Sequence, residues 1–81
     1  MKLEVLLFGA ERAAAGRDRV TVEVEPSATC RDVRDRLGEM IPHLQPHLLA
    51  ARIAVNGEFV PLTTGLNSTD EIAVIGLVSG G

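Results

Sequence analysis

The chain has 81 residues, enough for one small domain, and 46% of them are apolar; a domain of this size buries only about 60% of its unfolded surface, so those residues must form one efficient core. The net charge is −3 and the arginines are interleaved with acids, which excludes the basic face expected of a nucleic-acid binder. The single cysteine excludes an internal disulfide and suits a reducing compartment, and the N-terminal apolar run is too short for a signal sequence or a membrane span, so a cytoplasmic protein with no membrane role is expected.

Residues 2–8, KLEVLLF, alternate as a strand with Leu3, Val5 and Leu7 on one face. Residues 9–18 hold good helix formers between two glycines, which predicts a short helical turn. Val20, Val22 and Val24 then mark a second alternating strand that can pair antiparallel with the first. Pro26 ends it, and Thr29 with Asp32 three residues on reads as a helix start, the acid suiting the helix dipole. Cys30, Val33, Leu37 and Met40 repeat at spacings of three and four, one stripe of an amphipathic helix. An Asp32–Arg36 pair is expected on its solvated side, and Pro42 ends it. Residues 43–50, HLQPHLLA, read as an irregular or short-turn connection. Asn56-Gly57 between RIAV and EFVPL is a hairpin signal with positive φ at both positions. TTGLNSTD is a loop, and EIAVIGLV a final strand with Ile72 and Val74 on one face.

Strand, strand, helix, strand, strand, strand is an α+β order. Its economical packing is one mixed five-stranded sheet on one main helix, with the last strand paired to the first in the middle of the sheet. That is the ubiquitin-like β-grasp roll. Residues 1–77 are expected to form the domain and residues 78–81 a flexible C-terminal tail.

Little in the chain reads as catalytic. His43 and His47 are four apart, a ligand spacing on a helix, but Pro42 and Pro46 precede them and no cysteine is near; two surface histidines are expected and no metal. Cys30 reads either as a small core residue on the apolar stripe or as a thiol activated near a helix N-terminus. The segment from Gly9 to Gly16 has glycine at both ends like a phosphate loop, but lacks the Lys-Ser/Thr ending; with Lys2 the only lysine, any ATP must be bound by a partner. Asp70 and Glu71 are adjacent on a strand and point to opposite faces, a poor acid/base pair. What remains is the ending Val78, Ser79, Gly80, Gly81. Two residues without Cβ form a strip that fits a narrow channel and brings a terminal carboxylate close to another group; an ordinary frayed terminus is the plain alternative.

The element order, AVNGEFV at 54–60, DEIAVIGLVSGG at 70–81 and LFGAERAAAG at 7–16 resemble the small subunit of molybdopterin synthase, the MoaD-like sulfur carriers, along essentially the whole chain. The thiamine-pathway carriers (ThiS-like) share the roll and the Gly-Gly end but tend to lack the helical segment after the first strand. The MoaD-like tail often reads Pro-Pro-Val-Ser/Thr-Gly-Gly, whereas Gly76-Leu77 stand here in place of the prolines.

The resemblance implies that Gly81 reacts through its α-carboxylate. An E1-like adenylyltransferase (MoeB-like) would join it to AMP from ATP, and a sulfur donor protein would convert it to a thiocarboxylate. Inside a MoaE-like large subunit that group would give its sulfur to cyclic pyranopterin monophosphate. The small protein then carries sulfur, holds no cofactor of its own and leaves the catalytic groups to its partners. Phe8, Phe59 and Ile75 match apolar contact positions of the family and, with Leu77, are the candidate partner interface, Phe8 and Phe59 being equally readable as core. A ThiS-like carrier for thiamine thiazole synthesis and a ubiquitin-like protein modifier use the same activation chemistry and stay open as alternatives, as does a β-grasp interaction module with an incidental Gly-Gly.

Overall fold

Five strands form a mixed sheet in the order β2-β1-β5-β3-β4 in the computed structural model, which describes residues 1–76. The readings made for Leu77, Val78, Ser79, Gly80 and Gly81 lie outside the described residues. Strand β1 (Lys2–Phe8) runs antiparallel to β2 (Arg19–Glu23) and parallel to β5 (Ile72–Ile75), which takes the central place expected of it. On its other edge β5 pairs antiparallel with β3 (Arg52–Val55), and β3 with the two-residue β4 (Glu58–Phe59).

The alternation of the sequence decides which side of the sheet is covered. Leu3, Val5, Leu7, Val20, Val22, Ile53, Ile72 and Val74 all point to one face and are at most 3% exposed. Against them lies helix α2 (Cys30–Met40), which contributes Cys30, Val33 and Leu37, each fully buried. Met40 does not complete the stripe. It sits at the last helical residue and is 40% exposed, since Leu44 and Leu48 from the following turns close that end of the core. Burying a side chain the size of Leu37 is worth about 1.5–3 kcal/mol, so this aliphatic layer dominates the stability of the domain.

The start of α2 is held from two sides. Asp32 reaches back, its Oδ2 accepting from the Thr29 N–H at 2.8 Å and from the Thr29 hydroxyl at 3.2 Å. The N–H groups of Cys30 and Arg31 donate to the carbonyls of Thr64 and Leu62, each at 3.0 Å, which satisfies donors a helix start leaves orphaned. Asp32 is therefore used in the cap, and the expected pair with Arg36 does not form; Arg36 lies 4.0 Å from Glu39 instead. The connection after Pro42 is more regular than its prolines suggest: a 3₁₀ turn at Pro42–Leu44 leads into α3 (Gln45–Leu48). Gly38 makes this possible. A Cβ there would stand 3.1 Å from Gln45 Cγ, and its carbonyl accepts the Gln45 amide at 3.0 Å.

The hairpin turn is the expected one, with φ of 52° at Asn56 and 86° at Gly57, values that β3–β4 twist requires of a two-residue loop. Asn56 also ties this turn to the start of β5. Its Nδ2 donates to Asp70 at 2.9 Å, its Oδ1 accepts the Glu71 N–H at 2.9 Å, and its own N–H donates to the Glu71 carbonyl at 2.8 Å. Hydrogen bonds from the Asn67 N–H, then from the Asn56 amide, hold the Asp70 carboxyl below the usual carboxylate range. A depressed carboxylate contributes stability that is complete above its unfolded pKa, about 3.9, and is lost as pH falls through the lower folded value. Thermal melts from neutral pH down to about pH 3 should therefore show a steeper acid loss for the wild type than for Asp70→Asn; parallel curves would contradict the assignment.

Candidate functional site

The sheet face turned away from α2 carries the candidate interface, and strand register arranges it. Across the five strands Arg19, Leu6, Ala73, Ala54 and Phe59 fall in one row, and Phe8, Ile75 and Arg52 in the next. Phe8 is 46% and Phe59 49% exposed, so neither belongs to the core. Ile75 is half-buried between Phe8 and Arg52. The Arg52 guanidinium lies over the Phe59 ring, 4.1 Å from its centroid, where cation and ring face attract. Because β1 and β5 are parallel, Phe8 and Ile75 sit at the same end of the sheet, the end from which the chain passes to Gly76. An exposed apolar patch rimmed by charge is a docking feature, and this one adjoins the root of the tail.

Behind that root stands a residue that sequence reading missed. Helix α1 (Ala10–Ala15) follows β1 directly and buries Glu11, 1% exposed and the one buried charged side chain among the described residues. Its Oε2 has no hydrogen-bond partner among those residues. The carboxylate packs against Gly76: a Cβ there would lie 2.9 Å from Glu11 Cδ and closer still to Oε2. The only sequence signal was an acid in a short segment between two glycines, which does not say which way it points.

The other singled-out residues fall elsewhere. His43 lies in the 3₁₀ turn and His47 in α3, and no group of three or more His, Cys, Asp or Glu is placed to hold a metal ion among the described residues. Cys30 is fully buried; burial above all, then the negative charge of Asp70, pushes its thiol up, against a smaller opposing effect of a backbone hydrogen bond. A thiol needs its anion to act as a nucleophile, so this one packs as a small core residue. Iodoacetamide should leave native Cys30 unmodified over a period in which the denatured chain reacts fully, read by intact mass; equal rates would contradict this. Asp70 and Glu71 serve the turn and strand start described above. No described helix is long and apolar enough to cross a membrane.

A five-stranded mixed sheet wrapped on one main helix, with first and last strands parallel at its centre, defines a ubiquitin-like β-grasp protein. Similarity to known proteins narrows the class. The chain belongs to the ThiS family, whose pattern matches residues 5–81. It is 38% identical over 82 residues to the molybdopterin synthase sulfur carrier subunit of Mycobacterium tuberculosis, covering 100% of this chain and 99% of that one. Among solved structures, SAMP1 from Haloferax volcanii has a TM-score of 0.91 at 29% identity, with 100% of both chains covered. Small archaeal modifier protein 1 of H. volcanii has a TM-score of 0.85 at 27% identity, covering 95% of this chain and 98% of that one.

Proposed function

We propose that the protein is a sulfur carrier for molybdopterin synthesis and that Gly81 is its reactive residue. The observation that carries this reading is the full-length 38% identity to a molybdopterin synthase sulfur carrier subunit, in a family match that runs through residue 81. A free carboxylate is a poor acyl donor. An E1-like, MoeB-like partner binds ATP and lets a Gly81 carboxylate oxygen attack the α-phosphorus, releasing pyrophosphate and leaving an acyl-adenylate. Sulfur delivered at the sulfide level by a donor protein attacks the acyl carbon, AMP departs, and a C-terminal thiocarboxylate remains. Its anionic sulfur is the nucleophile offered to cyclic pyranopterin monophosphate in a MoaE-like large subunit.

This division of labour asks only two things of the small protein. It must present Gly81 on a strip thin enough to enter two different active sites, which Ser79, Gly80 and Gly81 suit. It must also dock reversibly, and the outer face at Phe8, Ile75 and Phe59 is the surface we assign to that contact, with Leu77, the next residue in sequence after Gly76, as a further candidate. ATP and the catalytic groups belong to the partners, and we assign the reaction to the cytoplasm.

Intact-mass spectrometry after incubation with the adenylating enzyme, ATP and a sulfur donor tests the reading: replacement of one oxygen by sulfur at Gly81 is expected, and a mass that stays unchanged while the enzyme is active overturns it. The likeness to small archaeal modifier protein 1 favours one second reading, conjugation to lysines of other proteins through the same adenylate. The family pattern itself keeps the thiazole route in view. Adding the pyranopterin precursor and the large subunit separates these, since only the molybdopterin carrier then yields a dithiolene product.

A further inference from the structure

Charge is sorted along the strands of this molecule. Helix α2 carries Arg31, Arg34 and Arg36 against Asp32, Asp35 and Glu39, which cancel. The two ends of the sheet do not. Strands β1 and β5 finish, and β2 and β3 begin, at the end that leads to Gly76. That end carries Arg19 and Arg52 and, in the segment after β1, Arg12 and Arg17, all exposed; Asp18 is the exposed acid beside them, Glu11 being buried. The far end carries Glu23, Glu25, Glu58, Asp70 and Glu71, with Lys2 as its cation. Solubility asks for net charge, not for its separation into two ends.

Distance decides what the separation does. The seven residues of β1 carry the chain about 20 Å from one end to the other, well beyond the Debye length of about 8 Å at physiological salt. A protein surface touching one end therefore feels mainly the charge of that end. Two of the four arginines are engaged: Arg19 pairs with Glu4 at 2.9 Å, and Arg52 is stacked on Phe59. Arg12 and Arg17 form no ion pair among the described residues and line one concave stretch of surface with Asp18. This stretch begins at Gly9, directly after Phe8, and Glu11 within it packs on Gly76, so it adjoins the apolar patch. An arginine fork also suits carboxylates, which it binds through two parallel hydrogen bonds.

We propose that Arg12 and Arg17 form an electrostatic docking edge beside the apolar patch of Phe8 and Ile75, and that the partner it fits is a protein surface with carboxylates bordering its apolar contact. The same carboxylates repel the acidic far end, so encounters are sorted by orientation and the molecule arrives with its Gly76 end foremost. That the large subunit is this partner rests on the sulfur-carrier reading; the charged edge does not.

The test has one arm for each. In stopped-flow association with the purified large subunit, the wild-type on-rate should fall about tenfold or more between about 10 mM and about 500 mM salt, as steered encounters do. At about 150 mM salt the double variant Arg12→Glu with Arg17→Glu should associate about fivefold more slowly, its salt dependence reversed and its off-rate changed less. The far-end double variant Glu23→Lys with Glu58→Lys should change the on-rate less than about twofold under the same conditions. All four side chains are exposed, so circular dichroism should show the fold retained in both variants. A wild-type on-rate independent of salt, or a far-end effect as large as that of the arginines, overturns the proposal.

The second arm needs no partner. A polyglutamate peptide of about ten residues, titrated at about 100 mM salt where charges about 10 Å apart are already screened, should shift the amide NMR signals of residues 9–18 and of Arg52, and leave those of Glu23, Glu58 and Glu71 in place. Shifts that are absent, or spread over both ends, overturn the charged edge. If the peptide localises as expected while the large subunit does not bind, the sulfur-carrier reading fails and the docking edge stands.

Discussion

Removing Gly80 and Gly81 should abolish thiocarboxylate formation while leaving the melting temperature of the domain unchanged. Among the described residues the core runs from Leu3 to Val74, and two glycines have no side chain to add to it, whereas in the proposed chemistry they carry the reacting group. Geometry sets the size of the effect. Reacting atoms must come within about 3–3.5 Å, and a misplacement of about 1 Å can cost a hundredfold in rate. One residue of extended chain spans about 3.3–3.6 Å, so even a one-residue change at the end moves the carboxylate out of register with the nucleotide. Appending a single alanine after Gly81 should thus be nearly as damaging as the deletion, a loss of at least about a hundredfold. Gly80→Val keeps the length but adds a β-branched side chain to the strip, and should raise KM as well as lower kcat. Adenylate formation, followed by pyrophosphate release with the purified activating enzyme, reads all three. Full activity in the deletion would remove the tail from the mechanism and leave the protein as an interaction module.

Most of the fold can be read from the chain because alternation is informative where a strand has one covered face. Leu3, Val5 and Leu7, Val20 and Val22, and Ile72 and Val74 declare their strands and their inner side at once. Asn56-Gly57 declares the hairpin because few residues accept positive φ. The misreadings have physical causes of the same kind. Met40 matches the helical period but falls where α2 ends, and burial there depends on Leu44 and Leu48, which arrive through turns that two prolines obscure. Asp32 has two possible partners by spacing, and the cap wins because it satisfies orphaned backbone donors while an exposed ion pair gains little. The site is less legible than the fold. Phe8 and Phe59 stay ambiguous in sequence until the helix is known to cover the opposite face. Glu11 stays hidden because a six-residue helix is too short to show an inner side, and because its neighbour Gly76 is remote in sequence and adjacent only through the parallel pairing of β1 and β5.

Phe8→Asp should weaken binding to the large subunit by about thirtyfold or more, the scale of a central aromatic hot spot. Phe8 is the last residue of β1 and nearly half exposed, so its replacement removes little core and should shift the melting temperature by only a few degrees. In the proposed complex this position, next to Ile75, is assigned to an apolar contact with the partner. A carboxylate held there must give up its water with no cation facing it in register, because Arg52 lies beyond Ile75 and its guanidinium is engaged over the Phe59 ring. Phe59→Ala should cost less, since it deletes contact area and frees Arg52 without burying a new charge. Leu49→Asp is the control: Leu49 is 79% exposed, on the helical side of the sheet beside Gly38 and Leu48, and should leave affinity unchanged. Titration calorimetry of the three variants against the large subunit separates the faces, because loss at Leu49 with retention at Phe8 would put the contact on the helices. The same panel with the adenylating enzyme shows whether the outer face serves both partners. If it does, the two cannot bind at once, and each round of sulfur transfer must end with the carrier leaving one partner before it meets the next. A surface of this modest size, centred on two rings and an isoleucine, suits such exchange better than a large permanent interface would.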